Sequence, residues 1–210
     1  MAIKLIVADD QEVVRRGLAS LLAGEDIEIV AEAATGKDAI AKTKKHKPEV
    51  VLMDVLMPDI DGLDALERIR KNSPKTKVIM MSAHDNPSYV ARAAALGAAD
   101  FLPKDVPAKA YAAAIKRAVR GEAPPADAPM SQMKAKLQVR PDPKADDVPL
   151  TRREYQVLLH VAYGLSNREI GYSLSISIET VKEHIQNLMR KLDVPDRTAA
   201  AFWAVKRGLV

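Results

Sequence analysis

Ile3-Lys-Leu-Ile-Val-Ala8-Asp9-Asp10-Gln-Glu-Val-Val14-Arg-Arg-Gly-Leu18-Ala-Ser-Leu21-Leu22 passes within 20 residues from one backbone period to another. Ile3 to Ala8 is a short β-rich run, and after an acidic pair Val14, Leu18, Leu21 and Leu22 share one face of a helix. The alternation continues: Ile27 to Ala33, Val50 to Met53, Val78 to Ser82 and Asp100 to Leu102 are further β-rich runs separated by longer amphipathic stretches. Asn86-Pro87 supplies a helix start, an N-cap residue followed by proline at the first helical position. Parallel strands need crossover connections, and helical crossovers cover both faces of the sheet they join. The expected fold is therefore α/β, a doubly wound five-stranded parallel sheet. In open sheets of this kind ligands sit beyond the carboxyl ends of the strands, so the residues just after each strand carry the chemistry.

The rest of the 210-residue chain fits two small soluble domains: 48% of residues are apolar, 29% charged and 4% aromatic. Cysteine is absent, which excludes disulfides, cysteine nucleophiles and thiolate metal sites and suits a reducing compartment. No apolar run has the shape of a signal peptide or approaches the roughly 18 residues of a membrane span, so a cytoplasmic protein without membrane contact is expected. Of the 13 prolines, 6 fall between Glu122 and Pro149, a stretch poor in large apolar side chains that reads as a linker. Within it Met130 to Val139 can form a short helix with Met133 and Leu137 on one side. The organisation expected is a domain over 1–121, a linker over 122–149 and a second domain over 150–210. Charge divides unevenly, with 19 basic and 17 acidic groups in the first, 4 and 5 in the second and 9 and 6 in the third. The last segment leans basic, which permits a polyanionic partner.

The strand ends gather Asp9 and Asp10 after the first strand, Asp54 after the third, Ser82 after the fourth and Lys104 after the fifth. An Asp pair after a strand is by itself most often a helix cap, and a lone Lys or Ser there is ordinary surface. Five such positions at the ends of four strands on one edge are a different matter. Three carboxylates held together repel unless a cation sits among them, and oxygen-only ligands suit Mg²⁺ or its relative Mn²⁺. With metal and Lys104 offsetting charge, one carboxylate can attack phosphorus while Ser82 holds an oxygen of the transferred group.

These residues resemble the receiver domain of two-component response regulators over about residues 1–121: Asp9-Asp10, Asp54-Val-Leu-Met57-Pro58 with Gly62, Ser82-Ala83, and Phe101-Leu-Pro103-Lys104 match its blocks. The resemblance implies a flavodoxin-like fold with Asp54 as phosphoacceptor. It further implies Asp10 and Asp54 as direct metal ligands, Asp9 acting partly through water, and the Leu56 backbone carbonyl completing the protein's share. Ser82 and Lys104 would contact the phosphoryl group, with Leu56 and His84 beside it. Phe101 would be the switch aromatic, its inward state favoured by phosphorylation; plain core packing is the alternative for Phe101.

After the linker the strand pattern disappears. Thr151 with Glu154 and Ser166 with Glu169 are capping boxes, and Ser177 precedes a stretch in which Ile178, Val181, Ile185, Leu188 and Leu192 step by three and four. Ala199 to Val205 supplies a fourth helix, making a small all-α domain. A capped helix ending near Leu174, the turn Ser175-Ile-Ser177 and a longer helix have helix-turn-helix spacing. The outer face of the longer helix carries Glu179, Lys182, Glu183, Gln186 and Arg190, flanked by Thr180, Asn187 and Lys191. Lys182 and Gln186, one turn apart, suit guanine or phosphate and adenine; Arg190 and Lys191 suit the phosphate backbone. A solvated helix face of mixed charge is the plain alternative.

Leu150-Thr-Arg-Arg-Glu154, Gly164-Leu-Ser-Asn-Arg-Glu-Ile170, Thr180-Val-Lys-Glu-His184 and Arg190-Lys-Leu192 resemble the LuxR-type DNA-binding domain, so the whole chain resembles a NarL/FixJ-type response regulator. That implies a four-helix domain whose third helix enters the major groove and whose last helix helps form a dimer. Glu183 and Gln186 depart from the small or apolar and basic residues usual there, and Gly171-Tyr172 replaces small or basic ones. His184 has no accompanying ligand and reads as a packing or phosphate contact. The function expected is phosphorylation of Asp54 by a sensor histidine kinase, switching homodimer formation and binding to two-fold symmetric double-stranded DNA. The protein would not be an enzyme beyond its own phosphorylation and dephosphorylation. A turnover phosphatase lacks any second motif for a substrate pocket; a phosphorylation-independent DNA-binding or scaffold protein with a receiver dimer module is the remaining alternative.

Overall fold

A computed structural model describes residues 2–138 and 148–210. Its contacts divide the chain into two compact units, one of residues 1–86 with 96–131 and one of residues 87–95 with 132–210.

The first unit is built on strands β1 (Ile3–Ala8), β2 (Ile27–Ala33), β3 (Val50–Asp54), β4 (Lys77–Ser82) and β5 (Asp100–Pro103). They form one parallel sheet in the order β2-β1-β3-β4-β5. The five β-rich runs of the sequence thus appear as strands, with β3, β4 and β5 each one residue longer, so that Asp54 closes its strand; the β1–β2 pairing shifts register once, between Leu5 and Ile6. β3 is the central strand and all five of its residues are buried, as expected for a strand covered on both faces. The chain leaves β1 toward β2 on one side and β3 on the other. That reversal opens a crevice at the carboxyl ends of β1 and β3, where Asp9, Asp10 and Asp54 lie.

Helices α1 (Glu12–Leu21), α2 (Gly36–His46), α3 (Gly62–Asn72) and α5 (Ala108–Arg120) belong to this unit. Thr35 caps α2 by accepting from the Asp38 amide, and Asp61 caps α3 by accepting from Asp64. Side chains alternate across the sheet: Leu5, Val7, Leu52, Ile79 and Met81 pack with Leu18 and Leu22 of the first helical segment and with Tyr111 and Ile115 of α5. Leu21, expected on the same face, is 49% exposed. Leu18 and Leu22 are four residues apart and take the stripe that meets the sheet, leaving Leu21 on its margin.

The second unit contains α4 (Pro87–Ala95), which begins at the proline that Asn86-Pro87 marks, most of α6 (Pro129–Gln138), α7 (Arg152–Ala162), α8 (Asn167–Leu174), α9 (Ile178–Leu192) and α10 (Arg197–Lys206). The helix foreseen inside the linker is α6, which buries Met130, Met133 and Leu137; Val139 lies outside the described residues. Both capping boxes form, with the Thr151 and Ser166 hydroxyls accepting from the amides of Glu154 and Glu169 while those carboxylates accept in return. The Ser177 hydroxyl accepts from Thr180 at the start of α9. Val181, Ile185, Leu188 and Leu192 are buried, but Ile178, expected with them, is 38% exposed because it occupies the first position of the helix.

Between α8 and α9 the chain turns through Ser175 at φ 54°, whose amide donates to the Gly171 carbonyl. The Ile176 amide donates to the same carbonyl at 3.1 Å. A Cβ on residue 171 would lie 2.9 Å from the Ile176 carbonyl oxygen, so the glycine that weakens α8 is what lets the turn fold back on it. α7 and α8 are joined by His160, which has no exposed surface. Its Nδ1 lies 2.6 Å from the Gln156 carbonyl oxygen and must carry the proton, so Nε2, at 2.7 Å, accepts from the Ser173 hydroxyl. Burial holds the His160 pKa below the ordinary 6.5.

Candidate functional site

Three carboxylates, from Asp9, Asp10 and Asp54, offer ligand oxygens that all lie within 4.8 Å of one another at the carboxyl ends of β1 and β3. Asp9 and Asp54 are buried and Asp10 is exposed. The Lys104 ammonium reaches over from the end of β5, 2.7 Å from Asp9 Oδ2 and 3.0 Å from Asp54 Oδ2. Burial raises the pKa of Asp54 above its ordinary 3.8, with the charge of Asp9 adding to the effect; Lys104 only partly offsets it. Burial works to lower the pKa of Lys104, yet its contacts with Asp9 and Asp54 outweigh that and hold it above the ordinary 10.5. Asp9 Oδ2 is buried, and among the described residues it is met by the Lys104 ammonium, at ion-pair distance. An all-oxygen donor set of three carboxylates whose negative charge one ammonium offsets only in part fits a hard divalent cation.

Ser82 closes β4 on the same edge. Its hydroxyl is turned into its own loop, donating to the His84 carbonyl at 3.1 Å and accepting from the His84 amide at 3.0 Å. The Lys104 amide donates to the Ser82 carbonyl at 2.8 Å, which ties the two loops together. Phe101 is buried in β5, in agreement with both the inward and the plain-core readings, and Leu56 is half exposed beside Asp54 in sequence.

Three contributors to this corner are absent from the sequence-based site. Gly62 begins α3 with its amide donating to the Val55 carbonyl at 2.8 Å, so close to β3 that a Cβ would lie 1.9 Å from the Asp54 carbonyl oxygen. The Tyr111 hydroxyl donates toward the Lys104 carbonyl at 3.1 Å, with that of Pro103 at 3.4 Å, pinning the loop that carries the lysine. Burial, helped by the charges of Asp105 and Asp9, pushes this phenol up to about 12, so it remains a donor at any physiological pH. Arg15 on α1 donates through one terminal nitrogen to the carbonyls of Asp9, at 2.9 Å, and Asp10, at 3.3 Å. Its Nε meets Glu32 Oε2 of β2 at 3.0 Å. In the sequence Gly62 stands out only as part of a motif, and nothing local separates Arg15 from Arg16 or marks Tyr111.

On α9 the surface carries Glu179, Lys182, Glu183, Gln186 and Arg190 exposed, with Thr180 and Asn187 half buried. Arg190 donates to the Asn187 carboxamide oxygen. Thr180 Oγ1 lies 3.0 Å from Ser177 Oγ at the helix start. Lys191, foreseen as a phosphate contact, turns back into the domain: its ammonium lies 2.7 Å from Glu154 Oε2 and 3.2 Å from the Pro149 carbonyl, bracing α9 against α7. The burial of Glu154 opposes its ionisation, but Lys191 and the Thr151 groups outweigh it and hold its pKa below the ordinary 4.5. His184 is half buried on the same helix, consistent with packing. None of the described helices is long and apolar enough to cross a membrane.

Residues 5–116 match the response regulator receiver domain and residues 148–204 match the bacterial regulatory proteins of the luxR family. The response regulator protein VraR of Staphylococcus aureus is 39% identical over 211 residues, covering all of both chains. Among solved structures, the response regulator ChrA of a heme-sensing two-component system is 31% identical with a TM-score of 0.55, covering 100% of this chain and 99% of that one. The receiver domain of the putative response regulator NarL from Mycobacterium tuberculosis is 33% identical with a TM-score of 0.56, covering 58% of this chain and 98% of that one. RcsB from Salmonella enterica serovar Typhimurium, solved on promoter DNA with a phosphomimetic, shares the fold at 24% identity and a TM-score of 0.55, over 97% of this chain and 98% of that one. An acidic strand-edge cluster with its lysine, a helix-turn-helix behind it in the chain and full-length kinship together place this chain in the response regulator family, with a receiver domain followed by a LuxR-type DNA-binding domain.

Proposed function

We propose that Asp54 is the phosphoacceptor of this response regulator, that a sensor histidine kinase is the donor, and that phosphorylation governs DNA binding by the helix-turn-helix. The observation that carries the reading is the Lys104 ammonium held 2.7 Å from Asp9 and 3.0 Å from Asp54 within a cluster of three converging carboxylates. A carboxylate oxygen of Asp54 attacks the donor's phosphorus; an O–P bond forms, the P–N bond to the donor imidazole breaks, and the nitrogen keeps the electron pair and takes up a proton. Charge accumulates on the phosphoryl oxygens in this step, and a fixed ammonium stabilises it best where water is scarce. Lys104 fills that role. The Ser82 hydroxyl can reach a phosphoryl oxygen only by leaving its hydrogen bonds to His84, so the modification competes with the resting loop, and Phe101 in the adjacent strand senses the outcome. Asp9, Asp10, Asp54 and the Leu56 carbonyl would hold Mg²⁺ or Mn²⁺, which supplies further neutralisation of phosphoryl charge.

The receiver is assigned to residues 1–121, the linker to 122–149 and the DNA-binding domain to 150–210. α9 is the recognition helix: Lys182 and Gln186 face base edges, Thr180, Glu183 and Asn187 flank them and Arg190 faces phosphate. Lys191 acts from behind, through its ion pair with Glu154. Paired domains on a two-fold DNA site follow the arrangement common to helix-turn-helix dimers, with the homodimer formed on phosphorylation. The promoter complex of the related RcsB chain supports this reading.

Incubating the chain with a small phosphodonor and Mg²⁺ tests it. A single stable adduct, lost in Asp54→Asn and accompanied by tighter binding to a selected DNA fragment, is the expected result. An absent adduct, with DNA binding intact, overturns it in favour of a phosphorylation-independent DNA-binding protein.

A further inference from the structure

We propose that Arg15 is the positioning residue of the acidic pair: its guanidinium sets the direction of the Asp10 carboxylate and so prepares the corner for a divalent cation. The inference rests on the metal-assisted reading above. The peptide units on either side of Asp10 are both held by one Arg15 nitrogen, through the carbonyls of Asp9 and Asp10 at 2.9 and 3.3 Å. Fixing those two planes fixes the backbone dihedrals of Asp10, and with them the vector from its Cα to its Cβ. Among the described residues, the Asp10 side chain is exposed and has no hydrogen-bonded partner of its own; the Gln11 amide, donating to Asp9 Oδ1 at 3.0 Å, holds the second of those peptide units together with Arg15, and Arg15 is the side chain that holds both.

The arginine is itself anchored. Its side chain is only 14% exposed and its Nε donates to Glu32 at 3.0 Å, on the strand that pairs with β1 through Val7↔Glu32. Arg16, next in sequence, is 78% exposed and among the described residues pairs with Glu12 one turn back. The same chemistry one position away therefore serves as an internal control. A forked, planar donor can bridge carbonyls and a carboxylate at once; a lysine ammonium of equal charge cannot hold the same geometry.

Charge and geometry act in opposite directions here, which makes the role decidable. A cation beside the pair repels an incoming metal ion, so neutralising Arg15 tightens binding if only charge matters. If positioning dominates, neutralisation weakens it, by about tenfold, at the low end for partners that orient metal ligands.

Mg²⁺ titration of the full chain by calorimetry, without phosphodonor, separates the two. Arg15→Met and Arg15→Lys are both expected to raise the dissociation constant, about tenfold and about fivefold respectively, with Arg16→Met unchanged. Glu32→Gln, which loosens the anchor while leaving α1 intact, is expected to give a smaller rise and decides the matter if Arg15→Met does not fold. In the labelling reaction the Mg²⁺ concentration at half-maximal rate rises in the Arg15 variants while the rate at saturating Mg²⁺ stays within about twofold, because bound metal restores the geometry. Unchanged or tighter Mg²⁺ binding in Arg15→Met, or parental binding in Arg15→Lys, overturns the inference. Failure of the parent chain to bind Mg²⁺ overturns instead the metal-assisted reading on which it rests.

Discussion

Gly62→Ala places a methyl group where the structure has no room for one. Built on the existing backbone, it lies 1.9 Å from the carbonyl oxygen of Asp54 and 3.1 Å from the end of the Met80 side chain. Met80 can swing its terminal methyl, but the Asp54 carbonyl belongs to the central strand. Relief to the 3.0 Å lower limit of real Cβ contacts requires α3 and the end of β3 to separate by about 1.1 Å. That movement breaks the 2.8 Å bond from the Gly62 amide to the Val55 carbonyl and shifts Asp54 relative to Lys104. Forced overpacking costs about 1–3 kcal/mol of stability. Displacing a reacting group by about 1 Å costs roughly 100-fold in rate. The expected outcome is a folded protein with a lower urea midpoint, labelled on Asp54 about two orders of magnitude more slowly by a small phosphodonor, followed by intact-mass spectrometry. Gly17→Ala is the control: nothing lies within 4 Å of its Cβ position inside α1, so it should raise stability by about 0.5–1 kcal/mol and leave labelling unchanged. A Gly62→Ala chain with parental labelling rate and parental urea midpoint would refute the steric argument.

Other outcomes follow from the second unit. Lys182→Ala should weaken DNA binding without changing the urea midpoint, and reduce the slope of log affinity against log salt by about 0.9 if its partner is a phosphate; equal affinity across salt concentrations removes it from the interface. Thr151→Ala deletes the hydroxyl of a capping box and is expected to cost about 1 kcal/mol, read from urea denaturation of the helical domain's signal. No loss there means the Glu154 carboxylate, paired with Lys191, suffices to hold the helix start. His160 is kept neutral by burial, so its folded pKa lies below its unfolded one. Below pH 6.5 the unfolded chain takes up a proton the folded chain refuses; stability is full above that point and is lost as pH falls toward the folded pKa. Urea midpoints across this window should drop more steeply in the parent than in His160→Gln, and parallel profiles would count against the assignment.

Much of the protein is local in its logic. The five strands alternate with amphipathic stretches, the capping boxes at Thr151 and Ser166 need only three-residue spacings, and the acidic pair, Asp54, Ser82 and Lys104 each end a strand or follow directly on one. Parallel strands joined by helical crossovers leave their carboxyl ends on one edge, so their convergence could be inferred before any contact was known. The helix-turn-helix was legible for a similar reason, its buried stripe and outer face being set by a period of 3.6 residues.

What the chain alone left open are choices between neighbours. Leu21 and Leu22 are adjacent, but only Leu22 is buried; Arg15 and Arg16 are adjacent, but only Arg15 meets the backbone of the acidic pair. Lys191 sits beside Arg190 on a basic helix end, yet it is held by a carboxylate 37 residues earlier in the chain. Tyr111 reaches the Lys104 loop from another helix, and Gly62 is required by a carbonyl of the central strand. Each depends on the rotation of a helix about its axis and the register in which it docks, to within about an ångström. Hydrophobic periodicity defines a stripe roughly 100° wide and so determines which face turns inward; the close packing of side chains from distant segments decides which residue on that face makes the contact.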